Sequence, residues 1–240
     1  MTIFSLEWKL LREDALKISC ICIVYPLCTT LLLLHMTSLF DGLTLHQAFT
    51  ALLGHVEELT WMYWTLLWFG YVILIQIIWK PRSTSFSYNM LLRYPTKSWF
   101  WLNRLLILLI FTACYVAITY IMCFFLFLKA HVTLQFDILI VLQAFFLLIN
   151  MYCHALLWKI IELLFSAKIA TVLLIVLFFA GIKRSAPYIP FYYGLMGNFD
   201  ANMFAVILVI EGLFICLMCL FIVRIGLKND YYYGGLLDVD

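Results

Sequence analysis

The residue with the clearest chemical meaning is an acid, Glu211, which stands deep in an apolar stretch of the sequence. A carboxylate is costly in hydrocarbon, so its side chain must face protein, water or a partner. We expect Glu211 either to pair across neighbouring helices or to contact a cationic group directly. Gln76 and Asn150 lie in two other apolar stretches, where amide side chains more often form interhelical hydrogen bonds than bind ligands.

Two other patterns are typical of a metal site and of an intramembrane enzyme, and both are incomplete. Cys216-x-x-Cys219 has the spacing of a zinc pair, but no second Cys or His pair follows it. Glu57-Glu58 and His131, with a phenylalanine four residues before it, resemble motifs of CAAX-type membrane proteases. The arginine and the last histidine pair of those motifs are missing. The sequence therefore predicts no metal site and no catalytic residue, and the protease is a remote alternative.

The composition of the chain limits the class of protein. Of 240 residues, 66% are apolar and 12% are charged, whereas soluble domains contain about 45–50% and about 25%. There are too few polar residues to cover a water-facing surface. The formal net charge of +2 provides no basic field for nucleic acid. These values exclude a soluble enzyme, a nucleic-acid binder and a disordered regulator, and they indicate an integral membrane protein.

Six stretches are long and apolar enough to cross a hydrocarbon core about 30 Å thick, which takes about 20 helical residues. The predicted spans are Ile18–Phe40, Leu59–Trp79, Leu105–Leu128, Asp137–Trp158, Phe165–Ile182 and Met203–Val223. They are continuously apolar and do not alternate, which favours helices over a barrel. The sequence thus predicts an all-α integral membrane protein in which residues 1–240 form one transmembrane domain.

The orientation follows from the lysine and arginine residues, which are enriched on the cytoplasmic side of membrane proteins. Of the 15 such residues, Lys129, Lys183 and Arg184 fall on one side of the predicted bundle and the remaining 12 fall on the other. Both termini are therefore expected in the cytoplasm, with the chain in the cell (plasma) membrane as a multi-pass protein.

Two cytoplasmic segments have the pattern of interaction elements. Residues 1–17 place Trp8 on the apolar stripe of an amphipathic helix that lies in the inner interface, with Arg12 on the same helix. This helix is either a membrane anchor alone or an anchor that also contacts a cytoplasmic partner. Between the second and third spans, Pro81 and Pro95 bracket a short helical stretch within 82–98. It exposes aromatic and aliphatic side chains, as in helices that dock into a partner's groove, although a linker lying on anionic lipid is the alternative.

The last outer loop is too aromatic for a solvated loop. Residues 183–202 include Phe191, Tyr192 and Tyr193 between prolines and glycines. Irregular backbone at membrane depth is tolerated only where protein covers it. We expect this segment to re-enter the outer leaflet as one or two short helices.

The predicted architecture resembles the permease subunit of an ATP-binding-cassette (ABC) transporter of the type-2 exporter class. The shared features are an interfacial elbow helix, six spans with both ends inside, a docking helix between spans two and three, and an aromatic re-entrant segment. Residues 91–106 read Leu-Leu-Arg-Tyr-Pro-Thr-Lys-Ser-Trp-Phe-Trp-Leu-Asn-Arg-Leu-Leu and look like the coupling-helix-into-third-span segment of that family. The resemblance rests on architecture and covers essentially the whole chain.

The resemblance implies a transport subunit and not an enzyme, with no cofactor of its own. In keeping with this, the sequence has no Gly-x-x-x-x-Gly-Lys-Ser/Thr phosphate loop, so a cytoplasmic ABC ATPase subunit would bind ATP and Mg²⁺. A second permease chain, identical or different, would complete a central pathway in a bacterial membrane. The implied ATPase-coupling residues are Trp8, Arg12, Tyr88, Leu91, Arg93 and Tyr94; the pathway residues are Gln76, Asn150 and Glu211; the outer gate is Phe191, Tyr192 and Tyr193.

The cargo expected from the resemblance is hydrophobic or amphipathic peptide, because short permeases of this build are similar to those that export antimicrobial peptides or protect the cell from them. Two alternatives stay open. One is a proton-coupled secondary transporter that uses Glu211, and the other is the permease of a lipid or drug exporter.

Overall fold

The computed structural model describes residues 14–54, 60–79, 96–184 and 195–228. Within these ranges the chain is helical and contains no strand, which confirms the predicted all-α class. The α-helices are α1 (Ala15–Leu33), α2 (Leu45–Leu53), α3 (Trp61–Trp79), α4 (Lys97–Lys129), α5 (Ile138–Leu164), α6 (Ala167–Arg184) and α7 (Phe204–Lys228). Short 3₁₀ helices lie at Leu34–Phe40, Met196–Asn198 and Ala201–Met203.

Five of these helices (α1, α3, α4, α5 and α7) are long and apolar enough to cross a membrane, which makes the chain a multi-pass helical membrane protein. The helix α6 contributes a shorter apolar stretch, Ala167–Ala180. In α7 only 22% of the most apolar window is buried within the protein, compared with 56% in α3 and in α5. The bundle is therefore centred on α3 and α5, and α7 lies at its periphery.

Helix boundaries differ from the predicted spans most clearly at α4. This helix begins at Lys97, eight residues before the predicted start at Leu105. The Thr96 side chain caps it by accepting a hydrogen bond from the Trp99 backbone N–H, as N-cap threonines do. Lys97 and Ser98, the last two residues of the expected coupling helix, consequently belong to α4. The long helix extends the apolar span with an aromatic first turn.

Interhelical contacts fix the direction of each helix relative to its neighbours. Tyr63 contacts Cys123 (3.1 Å) while Tyr71 contacts Thr112 (2.7 Å), so α3 and α4 are antiparallel. The helix α6 is antiparallel to α3, because Gln76 bonds Thr171 near its start and Trp68 stacks on Phe178 farther along. The chain thus reverses direction from α3 to α4, and α6 runs in the same direction as α4.

The connections at one end of the bundle are tied together by backbone hydrogen bonds. Thr133 exchanges backbone bonds with Leu43 and Leu45, which joins the connection after α4 to the one after α1. The Gly197 N–H donates to the Gly54 carbonyl at 2.8 Å, which attaches the segment before α7 to the end of α2. Leu195 beside it is buried. These three connections therefore lie at the same end, called the outer end below.

The amphipathic helix α2 lies at this outer end and was not expected from the sequence. Thr44 and Gln47 form a reciprocal capping box at its start, which satisfies free backbone N–H groups of the first turn. The Gln143 side chain donates to the Phe49 carbonyl and the Trp64 indole donates to the Leu52 carbonyl. The helix is thereby fixed to both α5 and α3.

Candidate functional site

The most distinctive cluster of side chains lies at the opposite end of the bundle, where α3 ends and α4 begins. We call this cluster the platform; it consists of Trp79, Phe100, Trp101, Arg104, Lys159 and Glu162. The segment that joins α3 to α4, residues 80–95, lies outside the described residues. The platform therefore surrounds both points at which that segment leaves the bundle.

Lys159 on α5 is the centre of the platform. Its Nζ lies 4.3 Å from the centre of the Trp79 ring and 5.5 Å from the centre of the Trp101 ring. It also donates a 2.5 Å hydrogen bond to Glu162 Oε2, one turn later on the same helix. Only 3% of Lys159 is exposed. A buried ammonium must be paired, and here a carboxylate and two aromatic faces stabilise it.

The aromatic rings join the two helix ends directly. The Trp79 and Trp101 rings stack with centroids 6.2 Å apart. The Arg104 guanidinium lies over Trp79 at 5.7 Å and over Phe100 at 4.9 Å. On α7, a Cβ placed at Gly226 would overlap the Trp101 indole, so only glycine permits this close approach. The platform therefore holds the ends of α3 and α4 against both α5 and α7.

A second polar layer, next to the platform, contains Gln76. The Gln76 amide donates to Thr171 Oγ1 at 2.7 Å, and the Trp158 indole donates to the same oxygen at 3.1 Å. The Thr171 hydroxyl in turn donates to the Ala167 carbonyl. Thr171 thus links α3, α5 and α6. In this structure Gln76 forms an interhelical hydrogen bond, and it lies at a different helix interface from Asn150 and Glu211.

Glu211 faces the interface between α7 and α5. Only 4% of the residue is exposed, and neither carboxylate oxygen has a hydrogen-bond partner among the described residues. The carboxylate lies close enough to the Cys153 sulfur for an electrostatic interaction. Asn150, also 4% exposed, is one helical turn from Cys153, and its carbonyl contacts the His154 ring. Asn150 therefore lies on α5 one helical turn from the residue that interacts with Glu211 on α7.

The other predicted site residues lie outside the described residues. These are Trp8 and Arg12 of the expected elbow helix, Tyr88, Leu91, Arg93 and Tyr94 of the expected coupling helix, and Phe191, Tyr192 and Tyr193 of the expected outer gate.

The platform is the feature that sequence reasoning missed. The distribution of lysine and arginine in the sequence places Lys159 among the positive charges at one end of the bundle. No sequence pattern gives Glu162 a role. Two signals were present: tryptophans near the ends of successive spans, and a Lys–Glu pair three residues apart. Neither signal shows that the lysine is buried, because its aromatic partners come from residues 79 and 101.

The cysteine and histidine patterns do not assemble a metal site in the described part of the chain. No group of three or more His, Cys, Asp or Glu side chains there lies close enough to hold an ion. Cys216 is exposed, whereas the Cys219 sulfur contacts the Tyr152 hydroxyl at 3.9 Å. Comparisons with protein-family models, curated proteins and solved structures find no match to this chain. The functional argument therefore depends on the platform and on the buried acid.

Proposed function

We propose that the chain is the membrane-spanning permease subunit of an ABC exporter of the type-2 class, which moves a hydrophobic or amphipathic peptide. The observation that supports this proposal is the platform at the two helix ends that residues 80–95 connect. A separate cytoplasmic ATPase would dock on that segment, at Tyr88, Leu91, Arg93 and Tyr94, and on the elbow helix at Trp8 and Arg12. ATP and Mg²⁺ would be bound by that partner chain.

A segment that receives mechanical work needs a rigid base, since otherwise the force would bend the connection and leave the bundle unchanged. The stacked rings of Trp79 and Trp101 close the two points where residues 80–95 leave the bundle. Lys159 contacts both rings and extends the base to α5. A displacement of the segment would therefore move several helices as one body, the kind of motion by which domains and subunits switch.

The proposal includes six crossings with both termini in the cytoplasm of a bacterial cell, and α6 as the fifth crossing. The helix directions support an even number of crossings. Among the described cationic side chains, the platform end carries Lys97, Arg104, Lys168 and Arg224. Lys129 lies at the outer end. This distribution is typical of a cytoplasmic platform end. The elbow helix at residues 1–17 and pairing with a second permease chain complete the proposed assembly.

Copurification tests the proposal. Tagged full-length chain extracted in mild detergent should retain an ABC-type ATPase, identified by mass spectrometry and by nucleotide hydrolysis in the eluate. Leu91→Asp combined with Tyr94→Asp should abolish the association while membrane insertion is preserved. Phe136→Asp is the matched control, because Phe136 is 78% exposed at the outer end, and this variant should retain the ATPase. Transport by the chain alone in liposomes, without nucleotide, would refute the proposal.

The carboxylate of Glu211, which has no hydrogen-bond partner in the described ranges, favours a second candidate, a proton-coupled secondary transporter. Acids inside membrane proteins are typical of proton relays. Purified chain in liposomes would then carry cargo in response to a pH gradient without ATP, and Glu211→Gln would abolish that flux. A flux of this kind would replace the ABC proposal, whereas its absence together with ATPase copurification would exclude the secondary transporter.

A further inference from the structure

The position of Glu211 in α7 is one where the pattern of burial calls for an apolar side chain. Ile207, Glu211, Met218 and Ile222 are 2%, 4%, 5% and 0% exposed, and their spacing of four, seven and four residues places them on one face of the helix. A leucine at position 211 would complete this stripe without cost. The carboxylate therefore needs a reason other than packing.

The surroundings of Glu211 are apolar and aromatic on the outer side. Ile207, one turn before it, packs in a small cluster with Phe146 and Met196. The Phe146 and Phe204 rings contact each other with centroids 5.5 Å apart. Phe146, Asn150 and Cys153 are spaced along one face of α5, and Cys153 interacts electrostatically with the carboxylate. The interface thus places one acid next to apolar and aromatic side chains, between two parallel helices.

No described cation is positioned to neutralise Glu211. The carboxylate has no ion pair there, and Lys159 lies six residues beyond Cys153 on α5, about 9 Å along the axis. Lys159 is also engaged by Glu162. A divalent metal is not favoured, because no cluster of three ligating side chains exists among the described residues and such ions take several oxygen ligands. A single carboxylate suits a group that carries one positive charge.

We propose that Glu211 binds the ammonium group of a lipophilic amine at the interface between α5 and α7, with the alkyl part of the ligand against the Phe146–Phe204 pair. A charge-assisted hydrogen bond between ammonium and carboxylate satisfies the acid, and it is stronger in this dry environment than in water. This inference deepens the proposed function by giving the cargo a cationic group. It concerns binding to this chain alone, so it is testable without the ATPase.

A carbodiimide protection experiment tests the site in the full-length chain. Dicyclohexylcarbodiimide enters apolar regions and reacts with a neutral carboxyl group, whose O–H adds across one C=N bond so that the adduct keeps all atoms of the reagent. Mass spectrometry gives the rate at which the unmodified peptide containing Glu211 is lost. This rate counts both the carbodiimide adduct and the amide that a primary amine forms from it with release of dicyclohexylurea, and it is the rate of labelling. We expect a saturating concentration of dodecylamine to lower that rate about tenfold or more, because an ion-paired carboxylate does not react. The strength of a hydrogen bond to a charged group corresponds to a factor of about 10 to 100 in an equilibrium constant.

Dodecanol is the matched control ligand, since it has the same alkyl chain without the charge, and it should change the rate less than about twofold. Equal protection by amine and alcohol would overturn the proposal. So would labelling of Glu211 that dodecylamine does not slow, which would indicate a proton site only, or the absence of any labelling at Glu211.

Ligand-induced stabilisation provides an independent measurement, because a ligand that binds only the folded state raises the unfolding midpoint. Dodecylamine should raise the midpoint of the wild-type chain above that seen with dodecanol, and this difference should disappear in Glu211→Gln and persist in Asp200→Asn. An unchanged difference in Glu211→Gln would refute the site. A negative result in this measurement would not affect copurification of the ATPase. The amine site and the proposed function can therefore be refuted independently.

Discussion

Replacing Lys159 by methionine should destabilise the bundle strongly, because the platform depends on this one ammonium. The Lys159 side chain is 4% exposed and that of its partner Glu162 is 13% exposed. Removing one member of a buried ion pair leaves the other charge uncompensated and costs about 3–5 kcal/mol. The cation–π contact with Trp79 at 4.3 Å accounts for up to about 2 kcal/mol of this loss, and methionine preserves most of the packing.

The double variant Lys159→Met, Glu162→Gln separates the ion pair from the packing. Because it leaves no buried charge, its loss should be limited to the cation–π part, about 1–2 kcal/mol, and so the second substitution should restore about 2–3 kcal/mol. The free energy of unfolding is measured in mixed micelles by titration with a denaturing detergent and tryptophan fluorescence. Lys168→Met, the same change at an exposed lysine of α6, should stay within about 0.5 kcal/mol of the wild type. If the double variant were as unstable as the single one, the buried pair would not be the basis of the platform.

Three further substitutions test helix contacts by the same unfolding assay. Gly70→Ala should cost about 1–3 kcal/mol, because its Cβ would overlap the Tyr25 ring, and a neutral effect would refute the close approach of α1 to α3. In Gly212→Ala the new Cβ meets no atom within 4 Å, so the substitution should be neutral or stabilise α7 by up to about 1 kcal/mol. Destabilisation would show that position 212 makes a contact that this structure lacks. Tyr71→Phe removes the 2.7 Å bond to Thr112 and should cost about 0.6–1.7 kcal/mol, so a larger loss would point to a role beyond that bond.

The fold class follows from hydropathy because lipid demands long, continuously apolar helices. Hydropathy was less informative at the helix ends, where the apolar signal stops before the hydrogen-bonded helix does. Arg104 interrupts the apolar run, yet α4 begins seven residues before it, at Lys97, since guanidinium and aromatic rings pack together there. The start of α2 was readable in principle, because Thr44 and Gln47 have the spacing of a capping box.

The candidate sites show a sharper limit of sequence reasoning. The cost of an acid in hydrocarbon indicates that Glu211 should not face lipid, and in the structure only 4% of the residue is exposed. Which helix it faces depends on the packing of α7, and a single sequence carries no signal for that. Lys159 illustrates the same limit, because a lysine near the end of a span usually extends to the interface. Its burial depends on Trp79 and Trp101, which are distant in sequence.

The platform and the buried acid are connected by one rigid element. The helix α5 carries Lys159, which is in the platform, and Cys153, which interacts electrostatically with Glu211. Lys159 and Cys153 are about 9 Å apart along this uninterrupted helix. A rigid displacement of the platform would therefore move the α5 face that borders the acid, whereas α7 is also held to the platform at Gly226. The access of a ligand to Glu211 then depends on how α5 and α7 move relative to each other. Lys159→Met should loosen only the α5 attachment, so we expect it to alter the protection of Glu211 by dodecylamine even though no ligand contacts Lys159. If protection were unchanged while the unfolding free energy fell as worked out above, the platform would stabilise the bundle without controlling the acid.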